Sequence, residues 1–279
     1  MNVFRLRRLG SSILMGAAIG LIFLTIAFPL YWMAITSFKT YREIFQRIPT
    51  FIPRLFTFEH YLSIVKDGLF RYYLNSIIVS VAATLISVTV GVLAAYSLSH
   101  FRYRGRALLS QMILYVYLFP GAVLFIPLLI VINTLRLADT LAALIVAYPV
   151  FGMPFAAWIL AGYFGTIPKE LEEAARVDGC SRMGALVRVI LPVALPGIVS
   201  ATVYCFLLSW NELLYAFTFI TSSAKKTLPM WLSEKILGDV FMWGELMAGA
   251  MLMLVPIVVI YSLGQKYLVR GLTAGAVKG

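Results

Sequence analysis

The sequence predicts an all-α membrane protein with six transmembrane helices. Of its 279 residues, 61% are apolar and only 13% are charged, whereas roughly a quarter of the residues in a soluble domain carry a charge. The apolar residues are gathered into windows, each of at least the roughly 20 residues that cross about 30 Å of hydrocarbon. Backbone embedded in lipid must satisfy its hydrogen bonds within the segment, and the alternating pattern of a membrane barrel is absent, so each window is expected to be a helix.

Five of the six windows are free of charge, and the remaining one contains only Glu212. The first window is expected to be a retained helix, because it is too long for a signal peptide and no small-residue cleavage pattern follows it. No repeat or linker divides the chain, so a single domain over residues 1–279 is expected. The spans are expected at approximately residues 12–37, 73–98, 107–133, 140–163, 193–220 and 246–265.

The distribution of basic residues predicts the orientation, since short loops rich in Lys and Arg lie in the cytoplasm. Arg102, Arg104 and Arg106 fill the short loop between the second and third spans, while the next loop carries Arg136 alone. Both termini are therefore expected in the cytoplasm, although the long first loop, with six basic and three acidic residues, would then lie outside. The net charge of +11 is spread over every loop, which favours lipid headgroups over nucleic acid as the partner.

A charged segment at residues 166–192 separates the fourth and fifth spans. Pro168 and Glu170 favour the start of a helix, because Pro is tolerated at the first helical position and Glu suits the positive end of the dipole. Gly179 is a natural stop in the left-handed conformation. Ser181 can cap a second short helix, which is expected to end by Pro192. The sequence therefore predicts two short helices joined at a glycine.

The first of these helices carries a narrow apolar stripe. Leu171, Ala174 and Ala175 fall at positions i, i+3 and i+4, and the other faces are charged. Such a stripe can dock in a groove of a partner protein. An ordinary amphipathic helix that rests on the bilayer is the alternative.

The whole segment resembles the EAA loop of permease subunits in ATP-binding-cassette (ABC) importers. The resemblance rests on Glu-Ala-Ala at residues 173–175, Asp-Gly at 178–179, Leu-Pro at 191–192, Pro196, and the position between the fourth and fifth of six spans. It implies the type I ABC importer permease fold, with a cytoplasmic coupling-helix loop that separate ATPase subunits grip. The residues that it implies in this coupling are Glu172, Glu173, Ala174, Ala175, Asp178, Gly179, Leu191 and Pro192.

Three further segments narrow the resemblance to MalG-like permease subunits of carbohydrate importers. They are Ser-Trp-Asn-Glu at residues 209–212, the segment 243–250, and the small-residue tail at 271–279. The tail, expected to begin after the last span at residue 266, is implied to reach the ATPase subunits. Cys180 departs from the family's usual Ala, which is also small. The tail residues implied in the contact are Gly275, Ala276, Val277, Lys278 and Gly279.

The motifs of an enzyme are missing from the chain. An ATP site needs a Gly-rich loop with Lys-Ser/Thr, and no Gly-Lys pair occurs. A His-Glu-x-x-His metal site and a nucleophile elbow are also absent. The chain is therefore expected to be a non-catalytic subunit without cofactor or metal, whose partner ATPases bind ATP and Mg. Its two histidines, His60 and His100, are expected to be isolated in loops.

Glu212 is the one ionisable residue expected inside the membrane, where a carboxylate must face the bundle interior or water. With Asn75, Trp210 and Asn211 it is a candidate for the solute pathway or its gating. The alternative is that its hydrogen bonds hold helices together. If Glu212 instead couples transport to protons, the chain is a secondary transporter, and this is the alternative function.

The resemblance also implies partners, a location and a class of solute. The expected assembly contains a second permease of a different chain, two ATPase subunits, and an extracellular or periplasmic sugar-binding protein. The expected location is the cytoplasmic (inner) membrane of a bacterium or archaeon. The solute is expected to be a di- or oligosaccharide or a related polyol.

Overall fold

The computed structural model describes residues 2–236 and 241–276, and every regular element in those ranges is helical. The first half contains α1 (Asn2–Ser37), α2 (Tyr41–Ile44), α3 (Glu59–Lys66), α4 (Leu69–His100), α5 (Arg106–Leu118), α6 (Phe125–Thr134), α7 (Leu141–Ala147) and α8 (Pro149–Gly165). The second half contains α9 (Lys169–Val177), α10 (Arg182–Ala185), α11 (Leu191–Val193), α12 (Leu195–Trp210), α13 (Leu214–Phe219), α14 (Leu228–Glu234) and α15 (Trp243–Ala276).

Four helical segments are long and apolar enough to cross a membrane, and two bent pairs of helices bring the total in the described residues to as many as six. The four are Ile19–Ser37, Leu69–His100, Leu141–Gly165 and Trp243–Tyr267. The bent pairs are Arg106–Leu118 with Gly121–Thr134, at 93°, and Arg182–Val193 with Leu195–Trp210, at 81°. The all-helical membrane fold predicted from composition is confirmed.

The third and fifth spans are not the single straight helices expected from their windows. In the third, Pro120 lacks an amide hydrogen and disfavours helical backbone at the residue before it, so Phe119 is extended at φ −71° and ψ 130°. In the fifth, α12 ends at Trp210 and a new helix, α13, begins at Leu214. The last helix is longer than the expected span, because α15 continues through Ala276 into the expected tail.

The chain divides into two compact units. Unit 1 contains residues 1–69 and 232–254, and unit 2 contains residues 70–231 and 255–279. A division into packing units does not test whether the chain is one domain, so the single domain stays a prediction.

Polar contacts join distant parts of unit 1. Lys235 Nζ lies 2.5 Å from Asp67 Oδ2 and 2.7 Å from Glu245 Oε2, and Ser63 donates to Glu245 at 2.7 Å. Burial lowers the pKa of Lys235, but the bonds to the two carboxylates outweigh this effect and raise it. His60 is buried in α3, with Nε2 2.9 Å from a backbone carbonyl, so the expectation that it is isolated in a loop was wrong.

Small residues let α4, α8 and α12 approach closely in unit 2. A Cβ added to Gly91 of α4 would lie 2.6 Å from Ala156 Cβ of α8. One added to Gly152 would lie 2.6 Å from Ser87 Oγ. Cys205 of α12 is a free thiol that donates to the Gly152 carbonyl at 3.5 Å. Such contacts are typical of helices in lipid, where close backbone packing replaces the hydrophobic effect as the source of helix association.

Candidate functional site

The helix α9 ends at a glycine, as the sequence predicts. Gly179 adopts φ +88°, and a Cβ there would meet nothing within 4 Å, so the backbone conformation rather than space requires glycine. Its amide donates to the Arg176 carbonyl at 3.1 Å, and the Cys180 amide donates to the Ala175 carbonyl at 3.0 Å. These two bonds form a Schellman motif, which satisfies the last carbonyls of the helix.

The second helix of the loop also starts as predicted but continues further. Ser181 Oγ accepts from the Gly184 amide at 3.1 Å and caps α10. A π-helical turn, Leu186–Ile190, then joins α10 to α11, which ends at Val193, one residue after Pro192, where the chain bends by 81°. Proline has no amide hydrogen and cannot make the usual helical hydrogen bond. The wider π-helical turn before Pro192 lets the helix continue past this residue.

The faces of α9 divide its residues into an inner and an outer set. Glu172 and Ala175 are buried, whereas Glu173, Ala174 and Asp178 are exposed. Leu171 is 40% exposed. The predicted apolar stripe is therefore divided, since Ala175 packs inward while its other two members face outward.

Glu172 makes contacts that the sequence did not predict. Tyr96 Oη donates to Glu172 Oε1 at 2.7 Å, and His100 Nδ1 lies 2.7 Å from Oε2. The His100 side chain is only 2% exposed, so its expected isolation in a loop was wrong. Tyr96 Oη also lies 3.3 Å from the Arg182 carbonyl, at the start of α10. We call Tyr96, His100 and Glu172 the Glu172 cluster.

Near the other end of α4, two polar side chains bind the backbone of a loop. Asn75, which is 8% exposed, donates from Nδ2 to the carbonyls of Ala224 at 3.0 Å and Lys226 at 2.9 Å. Ser76 Oγ accepts from the Leu228 amide at 2.7 Å, at the start of α14. The structure thus places Asn75, a candidate for the pathway or its gating, in contact with the segment 224–228.

Asp139 holds the same region, and the sequence analysis missed it. Its amide donates to the Phe219 carbonyl at 2.8 Å, and its carboxylate accepts from the amides of Thr221 at 3.0 Å and Ser222 at 2.8 Å. The Ser222 hydroxyl and Lys225 Nζ also donate to it. Bonds from Ser222, then from Lys225 and Thr221, hold the pKa of the Asp139 carboxyl well below its usual value. A lone acidic residue between two apolar windows was the signal that could have found it.

Glu212 lies where the fifth span breaks. Its Oε1 accepts from the Tyr215 amide at 2.9 Å, and its Oε2 accepts from the Ala216 amide at 3.1 Å, so the carboxylate caps α13. It also lines a cavity of about 280 Å³ together with the aromatic residues Tyr117, Phe151, Tyr204 and Tyr215. Glu212 therefore stabilises the start of α13 and also lines the cavity.

The other candidates for the pathway do not share this cavity. Trp210 is fully buried and packs edge-on against Tyr73, with ring centroids 5.5 Å apart. Asn211 is exposed and donates to the Leu207 carbonyl of its own helix at 2.8 Å. In the tail, residues 275–276 belong to the backbone of α15, while Val277, Lys278 and Gly279 lie outside the described residues.

Membrane-crossing helices, two broken spans and a glycine-stopped helix pair between spans define a membrane transport permease. The chain belongs to the family of binding-protein-dependent transport system inner membrane components, whose model matches residues 87–274. It is therefore a permease subunit of an ABC transporter.

Individual relatives agree with this assignment. The chain is 38% identical over 255 residues to the inner membrane ABC transporter permease protein YcjP of Escherichia coli (strain K12), covering 90% of this chain and 91% of that protein. It is 34% identical over 262 residues to the trehalose/maltose transport system permease protein MalG of Thermococcus litoralis, covering 90% and 91%.

A solved structure supports the fold. A subunit of a bacterial ABC transporter involved in the import of the acidic polysaccharide alginate superimposes with a TM-score of 0.80 at 23% identity, covering 96% of this chain and 98% of that one. The predicted permease fold and the MalG-like resemblance are confirmed, and the ABC permease is supported over the secondary transporter.

Proposed function

We propose that this permease carries a sugar, a di- or oligosaccharide or a related polyol, and forms half of the translocation pathway. The support is the relative whose name specifies trehalose and maltose, together with the resemblance of residues 209–212, 243–250 and 271–279 to subunits of carbohydrate importers. The other half is a second permease of a different chain. An extracellular or periplasmic binding protein delivers the sugar.

Two separate ATPase subunits supply the energy, bind ATP and Mg, and grip the loop at residues 166–192. The protein then lies in the inner membrane of a bacterium or archaeon, with both termini in the cytoplasm. The chain itself is non-catalytic. The observation that carries the proposal is the division of α9, which presents Glu173, Ala174 and Asp178 outward. Leu171 adds a half-exposed apolar side chain to the same outward surface. An exposed face that combines Ala174 and Val177 with neighbouring carboxylates fits a groove in a partner.

Charge reversal on the outer face of α9 tests the coupling. Glu173→Lys is expected to abolish uptake of labelled maltose and trehalose in cells that co-express the partner subunits, while the amount of inserted chain stays the same. Glu59→Lys, at an exposed carboxylate of α3 outside this loop, is the matched control. Normal uptake by the Glu173→Lys variant would rule out the coupling role.

Gly179 provides an independent test of the loop's conformation. Proline cannot adopt φ +88°, so Gly179→Pro must rearrange the junction of α9 and α10 and is expected to abolish uptake. Gly68 is a second left-handed glycine that lies away from the loop, and Gly68→Ala is the control. Loss of uptake in both glycine variants would show that the effect is not specific to the loop.

The tail is proposed to contact the ATPases as well. Removing residues 275–279 is expected to leave insertion intact and to reduce copurification of the ATPase subunits.

The alternative function has its own test. Uptake by this chain alone that is abolished by an uncoupler and does not depend on ATP would support proton coupling through Glu212.

A further inference from the structure

We propose that Tyr96 and His100 are positioning residues that fix the coupling helix α9 to α4 through Glu172, so that the two helices move as one body. This inference rests on the proposed function, in which the ATPase subunits grip α9. It assigns the outer residues of α9 to the partner and the Glu172 cluster to transmission within the chain.

The first support is the cost of burying a carboxylate. Glu170 and Glu173 of α9 are exposed, but Glu172 is 8% exposed, and a buried charge is unfavourable unless it is paired. Its Oε1 accepts a hydrogen bond from Tyr96 at 2.7 Å, and its Oε2 lies 2.7 Å from His100 Nδ1 in a close contact that is an ion pair when the imidazole is protonated; both side chains belong to α4. Rotating α9 away from α4 would leave the carboxylate and its partners unpaired, which resists separation of the two helices.

The second support is the geometry of the partners. Tyr96 and His100 are four residues apart, so they lie on one face of α4 about one turn from each other. Their rings are in contact, with centroids 5.1 Å apart. Because one carboxylate meets two side chains along the axis of α4, the cluster restrains α9 in direction as well as in distance.

Two arginines of the loop, Arg176 and Arg182, lie near the cluster. The Arg182 carbonyl of α10 lies 3.3 Å from Tyr96 Oη, and the charges of Arg176 and Arg182 act on the same hydroxyl. Arg182 also stacks over the Phe101 ring at 5.1 Å, directly after the end of α4. The whole helix pair, and not α9 alone, is therefore held at the last turns of α4.

The third support lies in α4 itself. It runs for 32 residues, from Leu69 to His100, with no interior proline. Asn75 and Ser76 bind the backbone at residues 224–228 near its beginning. The 20 residues from Ser76 to Tyr96 span about 30 Å at the helical rise. A displacement of α9 that moves α4 as a rigid rod must therefore also reach the segment 224–228.

The experiment uses the complex of the chain with its ATPase subunits and follows backbone hydrogen exchange with and without Mg and a non-hydrolysable ATP analogue. In the wild type, the nucleotide is expected to change exchange in both α9 and residues 224–228. Tyr96→Phe and Glu172→Ala are each expected to raise exchange in α9 about tenfold, the factor that corresponds to one lost hydrogen bond. His100→Gln, which removes the close contact with Glu172 Oε2, is expected to raise it as well. All three variants are also expected to remove the response to nucleotide at residues 224–228.

Two controls make the result specific. Thr89→Val removes an exposed hydroxyl from α4, two turns before Tyr96, and should behave as the wild type. The double variant of Tyr96→Phe and Glu172→Ala should show less than the sum of the two single effects, because both act on one contact. Tyr96→Phe removes only a hydroxyl, so it still tests whether the Glu172 cluster fixes α9 to α4 if the His100→Gln variant fails to assemble.

Unchanged exchange in α9, or a nucleotide response at residues 224–228 that survives in the variants, would overturn the inference. Failure of the wild-type chain to copurify with ATPase subunits would contradict the proposed function instead. A general loss of stability would raise exchange throughout unit 2, whereas the proposal requires the effect at α9 and its loss of transmission to residues 224–228.

Discussion

The two ends of α4 hold their neighbours by different chemistry. At its last turns, Tyr96 and His100 both bind the single carboxylate of Glu172. Near its beginning, Asn75 and Ser76 bind backbone atoms at residues 224–228, and Asp139 supplies further bonds to the preceding residues of that loop.

The difference shows how each end can be released. Backbone atoms remain whatever the side chain, so the loop at 219–228 stays attached when its own residues change. The polar contacts that join α9 to α4 pass through the side chain of one residue, Glu172, beside the buried Ala175. A substitution of Glu172 therefore removes both polar contacts to α4 at once, whereas the contacts at the other end are divided among Asn75, Ser76 and Asp139.

The largest effect is expected for Glu172→Ala. It leaves the buried His100 ring without its partner and removes the 2.7 Å bond of Tyr96 Oη, at a cost of about 2 to 3 kcal/mol. Thermal unfolding of the purified complex measures this as a lower Tm. Glu173→Ala, at an exposed neighbour, should leave Tm nearly unchanged. Equal shifts for the two variants would show that the buried contacts add no stability.

A local release of the loop is expected for Asp139→Ala. The amides of Thr221 and Ser222 lose their acceptor, so the segment that contains Lys225 and Lys226 should open more often. Limited trypsin digestion should cleave after these lysines about tenfold faster, since each lost net hydrogen bond changes an opening equilibrium by up to that factor. Cleavage in the segment 166–192 serves as the internal control. A uniform increase at both places would contradict the local role.

A smaller effect is expected for Asn75→Ala, which removes two bonds to the carbonyls of Ala224 and Lys226. We expect a loss of about 1 kcal/mol, because water can reach carbonyls at an opened loop. Asn133→Ala, at an exposed asparagine at the end of α6, is the matched control. If Asn75→Ala lowers Tm as much as Glu172→Ala does, the contrast between the two ends of α4 is wrong.

The smallest effect is expected from pH at the Asp139 end. Hydrogen bonds lower the pKa of Asp139 in the folded chain, so its stabilisation is complete above the unfolded value of about 3.9 and is lost only as pH falls through the lower folded value. Protection of the amides at residues 221 and 222, corrected for intrinsic exchange, should stay constant from pH 8 to pH 5. Asp139→Asn should reduce that protection at every pH. A loss in the wild type between pH 6 and pH 5 would assign the titration to another group.

Local signals predicted the parts of the loop that depend on neighbouring residues. The left-handed Gly179 and the Ser181 cap were both predicted, because each depends on backbone within a few residues. The windows of apolar residues located the spans for the same reason. Helix breaks were harder to predict, since Pro120 interrupts its span whereas Pro154 and Pro256 lie inside continuous helices.

The missed contacts all join residues that are distant in sequence. Glu172 and Tyr96 are 76 residues apart, and Asp139 and Ser222 are 83 apart. Glu172 looked like one more charged residue on an amphipathic helix, and only packing against α4 turns it inward. His100 looked isolated because α4, the helix to which it belongs, contains no acidic residue.

The sequence by itself determined that the chain is a helical membrane permease with a glycine-stopped helix pair between two spans, because hydropathy, turn chemistry and motif spacing are properties of short segments. The tertiary structure alone decided which face of α9 is left for a partner and which is attached to α4. The physical reason is that a carboxylate can be buried only where partners from another helix meet it, and the positions of those partners are set by the packing of whole helices.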